Sequence, residues 1–435
     1  MAVRVWAPLP LRQSLTQEHW RHLLWLGVSP LTAPPAPGDP ALWIDALFGL
    51  GQKRPLPSDL ADLLQRRHRQ APGRLISLDV PAGLHSDSGC PVEGVAARAS
   101  DTLCVGLIKR GLVQDSALDF VGGLHRIDPG VPERLCAALP APVMRRLMPS
   151  DLTTLPRPEQ SPTAMKYQRG RLLLVAGSDR YRGAALLALQ GAMASGIGSV
   201  EACVPAAVAE QLWQLAPEVV LDGSLRSDAA GALDWGAAMG ARDWSRLDAL
   251  LIGPGWGRIE APWDPWAEPL LDLKGLLVID ADGLNQLARS SEGWRWLLKR
   301  SGPTWITPHG GEFARLFPDC HGDTLPEQAA AAAARSGAVV LLKGAHSVVA
   351  APSGEVWQLT DTDPAVARTG FGDLLAGHAA GWGARCLAAA GSVHAADLAA
   401  SALMHAQSAK RCDQGSSAGT VVPHLAAMTR KMMRF

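Results

Sequence analysis

Closely spaced cysteines are missing from this sequence: the seven thiols, at positions 90, 104, 136, 203, 320, 386 and 412, are nowhere nearer than 14 residues apart. That spacing excludes a CxxC-type metal knuckle and a dense disulfide framework. No basic stretch leads into an apolar one and no run of about 18 apolar residues occurs, so neither a signal peptide nor a membrane span is predicted. Charge of one sign is lacking too, with 41 Lys plus Arg against 41 Asp plus Glu. No global field favours nucleic acid or an anionic membrane as a partner, so any phosphate site must be local. The GxxxxGK[ST], GxSxG and HExxH patterns are absent, which removes the usual support for P-loop, α/β-hydrolase and zincin readings. These absences together predict a reducing, cytoplasmic setting.

The 435 residues leave room for two or three domains, and 47% hydrophobic against 19% charged residues describes a globular, enzyme-like chain. Glycine (44) and proline (33) are abundant, which predicts many tight connections. Tryptophan, at 15, exceeds Phe (6) and Tyr (2) together and carries no functional reading beyond buried packing. Residues 137–163 are proline-rich without sustained period and read as a linker between domains at 1–136 and 164–435. Upstream, residues 3–6, 41–45, 75–79 and 103–107 read as strands, with a helix near 60–69 between them. Downstream, strands are predicted at 171–176, 249–252, 276–279, 304–307, 339–342 and 347–351, and the alanine run 329–334 as helix. Strands alternating with helices, with acids or glycines at the strand carboxyl ends, predict α/β architecture with two doubly wound, Rossmann-like parallel sheets.

The most informative segment is Ala367 to Gly377, which contains TGFGD. Gly370 and Gly372 ahead of an amphipathic helix would let backbone N–H groups converge on an anion, aided by the helix dipole. Asp373 would repel that anion and is better suited to taking a proton from a hydroxyl; an ordinary glycine turn carries about equal weight. Asp280 and Asp282 at a strand end could hold Mg²⁺ through water, orient polar groups or simply cap the next helix. His309, in a TPHGGE turn, is a candidate ligand contact. Lys343, emerging from an apolar strand into KGAHS, could reach a phosphate or snorkel to solvent. GPGWG, residues 253–257, could approach a phosphate or ring, although alone it is a common turn.

The order of these motifs is more specific than any one of them. Gly177-Ser178 with Tyr181 to Ala184, then GPGWG, DADGLN, TPHGGE, KGAHS and TGFGD, resembles the ribokinase-like NAD(P)H-hydrate dehydratase family over residues 147–435. The resemblance implies a three-layer αβα fold and repair of damaged nicotinamide cofactor. The S-hydrate of NADH or NADPH would be phosphorylated on its new hydroxyl by ADP or ATP with Mg²⁺, and phosphate then expelled. It places Lys343, Gly344, Ala345, His346, Ser347 and Gly372 on the adenine nucleotide, and Ala184, Gly257, His309 and Asp373 on the hydrated cofactor. Asp373 would be the base, and the amides of Gly370 and Gly372 would stabilise the transferring phosphoryl group. Ser347 stands where threonine is common, and Phe371 where a smaller residue is usual. Homo-oligomeric assembly is a further implication. A ribokinase-like kinase of a small vitamin precursor is the alternative, with the first half as a scaffold or binding module.

Residues 1–136 resemble the companion NAD(P)H-hydrate epimerase domain through DALFGLG at 45–51, LDVPAGL at 78–84 and GLIKRG at 106–111. The family's NNGGDG unit is not found ahead of Val3, and its DxPSG motif reads DVPAG, so Ala82 offers no side-chain oxygen. By the resemblance Asp79 is the proton-transfer group and Asp45 the remaining K⁺ ligand, with the epimerase half expected to be inactive.

Overall fold

A computed structural model describes residues 3–139, 144–159, 161–229, 231–239, 242–258, 263–361, 363, 367–413 and 415–434. The chain divides into two compact units, Met1–Ala138 and Leu139–Phe435.

In the first unit four parallel strands, β1 (Trp43–Asp45), β2 (Leu75–Leu78), β3 (Asp101–Val105) and β4 (Gly123–Ile127), lie side by side in sequence order. The helix Ser58–Gln70 buries Leu60, Leu63 and Leu64, spaced at helical period, into a small core with Leu75, Ala82 and Ala97. Arg67 on the same helix is buried and donates to the carbonyls of Pro37, Asp39, Ala41 and Arg74, tying the incoming chain to the sheet edge. The strand expected at residues 3–6 does not form. The Val5 carbonyl accepts from the distant Leu31 amide (2.8 Å), and with no strand alongside to pair the segment is left as irregular chain.

The second unit is built on one ten-stranded sheet in the order β5-β14-β13-β12-β11-β10-β9-β6-β7-β8. In chain order these are β5 (Met144–Leu147), β6 (Arg171–Val175), β7 (Ser199–Pro205), β8 (Val220–Leu225), β9 (Ala249–Ile252), β10 (Leu276–Ile279), β11 (Thr304–Ile306), β12 (Val339–Leu342), β13 (Val348–Ala350) and β14 (Val356–Leu359). Strands β6 to β12 are mutually parallel, whereas β13 runs antiparallel to both β12 and β14. β5 falls inside the stretch read as linker: Met144–Leu147 pairs in parallel with Val356–Leu359, so that part is an edge strand and not free connection. Residues 140–143 and 160 of that stretch lie outside the described residues.

The central strands read as unbroken apolar runs because both faces are covered. Leu172 and Leu174 enter a core beneath the helices Arg182–Ala194, Phe371–Ala390, Ala395–Ala409 and Ala418–Met432. Leu173 and Val175 face the opposite core, shared with the helices Asp282–Arg289, Gly310–Leu316 and Leu325–Ser336. Much of the tryptophan sits in that second core, where Trp235 stacks on Trp256 (centroids 4.8 Å apart) and approaches Trp263 (5.2 Å), which meets Trp296 edge-on. After β6 the chain moves outward to β7 and β8, then returns to place β9 on the other side of β6. That reversal opens a crevice at the carboxyl ends of β6 and β9, the usual place for a ligand in such a sheet.

Candidate functional site

Every motif singled out in the second unit leaves a carboxyl end of these parallel strands or begins a helix packed against them. At the crevice, the Gly177 amide donates to the Pro254 carbonyl (2.8 Å) and Trp256 Nε1 to the Val175 carbonyl (2.9 Å), binding the turns after β6 and β9 together. Gly255 has φ +65°, and a Cβ there would lie 2.5 Å from Cβ of Ala184, so the GPGWG turn rests directly on the first turn of the helix Arg182–Ala194. Gly257 and Ala184 are thereby brought to one wall.

The DADG carboxylates orient polar groups and make no side-chain cap on the helix that follows. Ala281 has φ +50°, a left-handed conformation that costs a non-glycine residue energy. That kink sends the two carboxylates to different partners. Asp282 Oδ2 accepts from the Gly257 amide at 2.8 Å, fixing the GPGWG turn. Asp280, almost fully buried, accepts from Lys343 Nζ (2.7 Å) and Thr307 Oγ1 (2.8 Å). These three residues follow β10, β12 and β11, so one polar chain crosses three adjacent strand ends. Burial works against the Lys343 charge, but Asp280, Glu312 and Asp373 outweigh it and raise its pKa. The snorkelling alternative is excluded, because the ammonium is held inward.

His309 caps the helix Gly310–Leu316 in a reciprocal arrangement. Its Nδ1 accepts from the Gly311 amide (3.0 Å), while Glu312 Oε2 accepts from the His309 amide (2.9 Å). An acceptor Nδ1 puts the neutral ring's proton on Nε2. The ring is half exposed and can meet a ligand, and the backbone of His309 bridges to Lys343. KGAHS forms the hairpin loop between β12 and β13, closed by Ser347 Oγ, which takes the Gly344 amide (3.3 Å) and donates to the Gly344 carbonyl (3.1 Å).

The TGFGD segment meets this constellation from the helix side. Gly370, at φ +91°, precedes the 20-residue helix Phe371–Ala390. A Cβ on Gly370 would meet Leu187 at 2.5 Å, whereas one on Gly372 would meet only Lys343 Nζ, at 3.7 Å. The Gly372 surface is therefore open to a ligand and faces the ammonium. Asp373, in the first helical turn, has its pKa pushed up to about 6 by burial and by the charges of Asp280 and Asp282, against the opposing pull of Lys343. The site thus combines helix-terminal amides, one fixed cation and a carboxylate that is basic near neutrality, a set suited to phosphoryl transfer to a hydroxyl. Asp280, Thr307 and Glu312 are the members that sequence reasoning missed as partners of Lys343; carboxylates and a hydroxyl at consecutive strand ends were the available signal.

In the first unit, Asp79 follows β2 at φ +68°, pairs with Lys109 and accepts from the Val105 amide (3.2 Å). Burial raises the Asp45 pKa, although its oxygens accept from the amides of Ala82 (2.8 Å) and Leu47 (3.2 Å) and from Ser77 Oγ (2.9 Å). The residues fit a potassium ion poorly: three donors already occupy the Asp45 oxygens, and Ala82 offers no side-chain oxygen.

Residues 172–431 match the family described as NAD(P)H-hydrate dehydratase, and residues 1–111 match the YjeF-related protein N-terminus. The chain is 39% identical to a bifunctional NAD(P)H-hydrate repair enzyme of Synechocystis sp., covering 86% of this chain and 70% of that one. The corresponding protein of Gloeobacter violaceus is 38% identical, with 86% and 73% covered. Among solved structures, an ADP/ATP-dependent NAD(P)H-hydrate dehydratase from Bacillus subtilis, co-crystallised with ATP and Mg²⁺, aligns with TM-score 0.50 and 29% identity over 66% of this chain and 96% of that one. A ribokinase-like superfamily protein from Enterococcus faecalis shares the fold, with TM-score 0.54 and 21% identity over 68% of this chain and 99% of its own.

Proposed function

Because the chain belongs to the NAD(P)H-hydrate dehydratase family, we propose that its repair chemistry runs at the strand-end site of the second unit, with Asp373 as base. The S-hydrate hydroxyl loses its proton to Asp373 as its oxygen attacks the terminal phosphoryl of an adenine nucleotide. Breaking the bridging P–O bond leaves AMP if ADP is the donor. The phosphate ester then departs with its C–O bond while the neighbouring ring carbon gives up a proton, restoring the dihydropyridine and releasing inorganic phosphate. The vitamin-precursor kinase reading is not favoured by the relatives, which are repair enzymes.

The observation that carries this assignment is the facing pair of Gly372 and Lys343, with Asp373 one residue further on. The amides of Gly370 and Gly372 and the Lys343 ammonium would take the transferring phosphoryl group, with the KGAHS loop of Lys343, Gly344, Ala345, His346 and Ser347 along the nucleotide. Ala184, Gly257 and His309 would line the hydrate. Mg²⁺ fits as an ion carried on the nucleotide: it is commonly held by one or two carboxylates plus phosphates, and no three His, Cys, Asp or Glu gather into a protein cage among the described residues. Glu312 and Asp280 would hold it, and it would neutralise phosphate charge. Incubation of S-hydrate with ADP and Mg²⁺ tests the proposal by the return of dihydropyridine absorbance; no return would refute it.

The same reading places the protein in the cytoplasm, supported by seven cysteines free of disulfides, and as a homo-oligomer, which native mass measurement tests. No helix of the described residues is long and apolar enough to cross a membrane.

A further inference from the structure

Two arginines flank the crevice at the carboxyl ends of β6 and β9 and take no part in the chemistry above. Arg182 opens the helix Arg182–Ala194 two residues before Ala184, and Arg258 follows Gly257 at the end of the GPGWG turn. Both are exposed, and neither pairs with a carboxylate among the described residues. The nearby acids are otherwise engaged or apart: Asp282 accepts from the Gly257 amide, Asp228 from the Ala232 amide (2.9 Å), and Asp179 is exposed without an ion pair. The turn that carries Arg182 is fixed. The Tyr181 amide donates to Ser178 Oγ (3.2 Å), the Ala184 amide to the Tyr181 carbonyl (3.2 Å), and Arg182 Nε to the Asp179 carbonyl (3.1 Å). The guanidinium therefore folds back over the turn after β6, with its two terminal amino groups unpartnered among the described residues. Helix stability does not account for it, since a cation in the first turn opposes the helix dipole and no acid stands there to offset it. A guanidinium fork matches the geometry of a phosphate.

Position in the fold decides which phosphate. β9, β10 and β11 separate β6 from β12, about 19 Å at roughly 4.8 Å per strand, so these arginines stand apart from Lys343 and the nucleotide. Along its own helix, Arg182 precedes by five residues the Leu187 side chain that a Cβ on Gly370 would strike, a rise of about 7.5 Å. In a nicotinamide dinucleotide one ribose separates the reacting ring from the diphosphate, whereas the 2′-phosphate that distinguishes the NADP form lies on the second ribose. A cation about one and a half helical turns out from the transfer site matches the diphosphate.

We propose that Arg182, with Arg258 on the facing turn, binds the diphosphate of the hydrated dinucleotide and so recognises NADH-hydrate and NADPH-hydrate alike. The inference rests on the dehydratase reading and deepens it. Arg182→Gln is expected to raise the KM of both hydrates by the same factor, about tenfold, with kcat and the KM of ADP within about twofold and no loss in thermal midpoint. Adding Arg258→Gln should raise hydrate KM about tenfold again, and Arg182→Lys, which keeps the charge, should recover most of the loss. Unchanged hydrate KM in Arg182→Gln overturns the inference, as does a lysine variant no better than the glutamine one, and a double variant equal to the single one removes Arg258 from it. An effect confined to NADPH-hydrate would move Arg182 to the 2′-phosphate and overturn the diphosphate assignment. Absence of turnover in the wild type would instead count against the dehydratase reading. NADH affinity, read by fluorescence in the wild type and Arg182→Gln, then decides the role of Arg182: about tenfold weaker binding by the variant supports it, and equal affinity overturns it.

Discussion

Lys343 Nζ lies 2.7 Å from Oδ1 of Asp280, a contact between residues 63 positions apart that joins the ends of β12 and β10 across the intervening β11. The pair is mostly buried, with 21% of the lysine side chain and 2% of the aspartate exposed. Breaking such a pair leaves an uncompensated charge. Asp280→Asn is therefore expected to lower kcat/KM by about 10- to 100-fold as Lys343 loses its anchor. It should also shift the acid limb of the pH profile downward, since the Asp280 charge helps hold the Asp373 pKa up. Unchanged rate and limb in this variant would mean that Asp280 does not set the position of Lys343.

Activity should fall as pH drops through about 6, because Asp373 must be ionised to act as a base. The sign for stability is opposite. A carboxyl raised from 3.8 to about 6 binds its proton more tightly in the folded chain. Its contribution is fully present below 3.8, is lost as pH rises through 6, and above that the ionised form is a burden. Asp373→Asn should thus stabilise the second unit at pH 7.5 by on the order of 2 kcal/mol while abolishing turnover, and the gain should vanish near pH 4. Thermal melts of both proteins at the two pH values check this.

Two glycines separate folding from function. A Cβ at Gly253, where φ is +109°, would stand 2.0 Å from the Asp280 carbonyl oxygen and 2.6 Å from the Gly283 amide nitrogen. Gly253→Ala should cost about 3 kcal/mol or more. Gly372 is helical and its added methyl meets only Lys343, so Gly372→Ala should melt at or above the wild-type temperature while nucleotide KM rises about tenfold. Equal melting losses in the two variants would contradict the picture of an open surface at Gly372.

The first unit should be indifferent to potassium. With Asp45 already accepting from Ala82, Leu47 and Ser77 and no side-chain oxygen at Ala82, its thermal midpoint and any interconversion of R- and S-hydrate should be the same in KCl and NaCl. A potassium-specific gain in either would show that Asp45 exchanges those donors for the ion.

Strands β9, β10 and β12 were legible to the residue, because a strand buried on both faces is an apolar run and each ends at a glycine, aspartate or lysine turn. β8, mostly exposed, and β5, reading Met-Arg-Arg-Leu, carry no such run and were missed as edges. Residues 3–6 show the reverse failure, strand-like composition with no partner. The glycine motifs and Asp373 were legible from local spacing. The Lys343–Asp280–Thr307 chain and the meeting of the Arg182 and Arg258 turns at one crevice were not, since both depend on which distant segments the sheet order and helix packing bring together.

The most direct measurement of the central claim is product stoichiometry in a reaction of S-hydrate with ADP and Mg²⁺, comparing wild type with Asp373→Ala. The account predicts that wild-type protein forms dihydropyridine, AMP and inorganic phosphate in equal amounts, and that the Ala variant forms none of them at a comparable rate. A stable phosphorylated hydrate released in place of phosphate, or wild-type rates from Asp373→Ala, would contradict it.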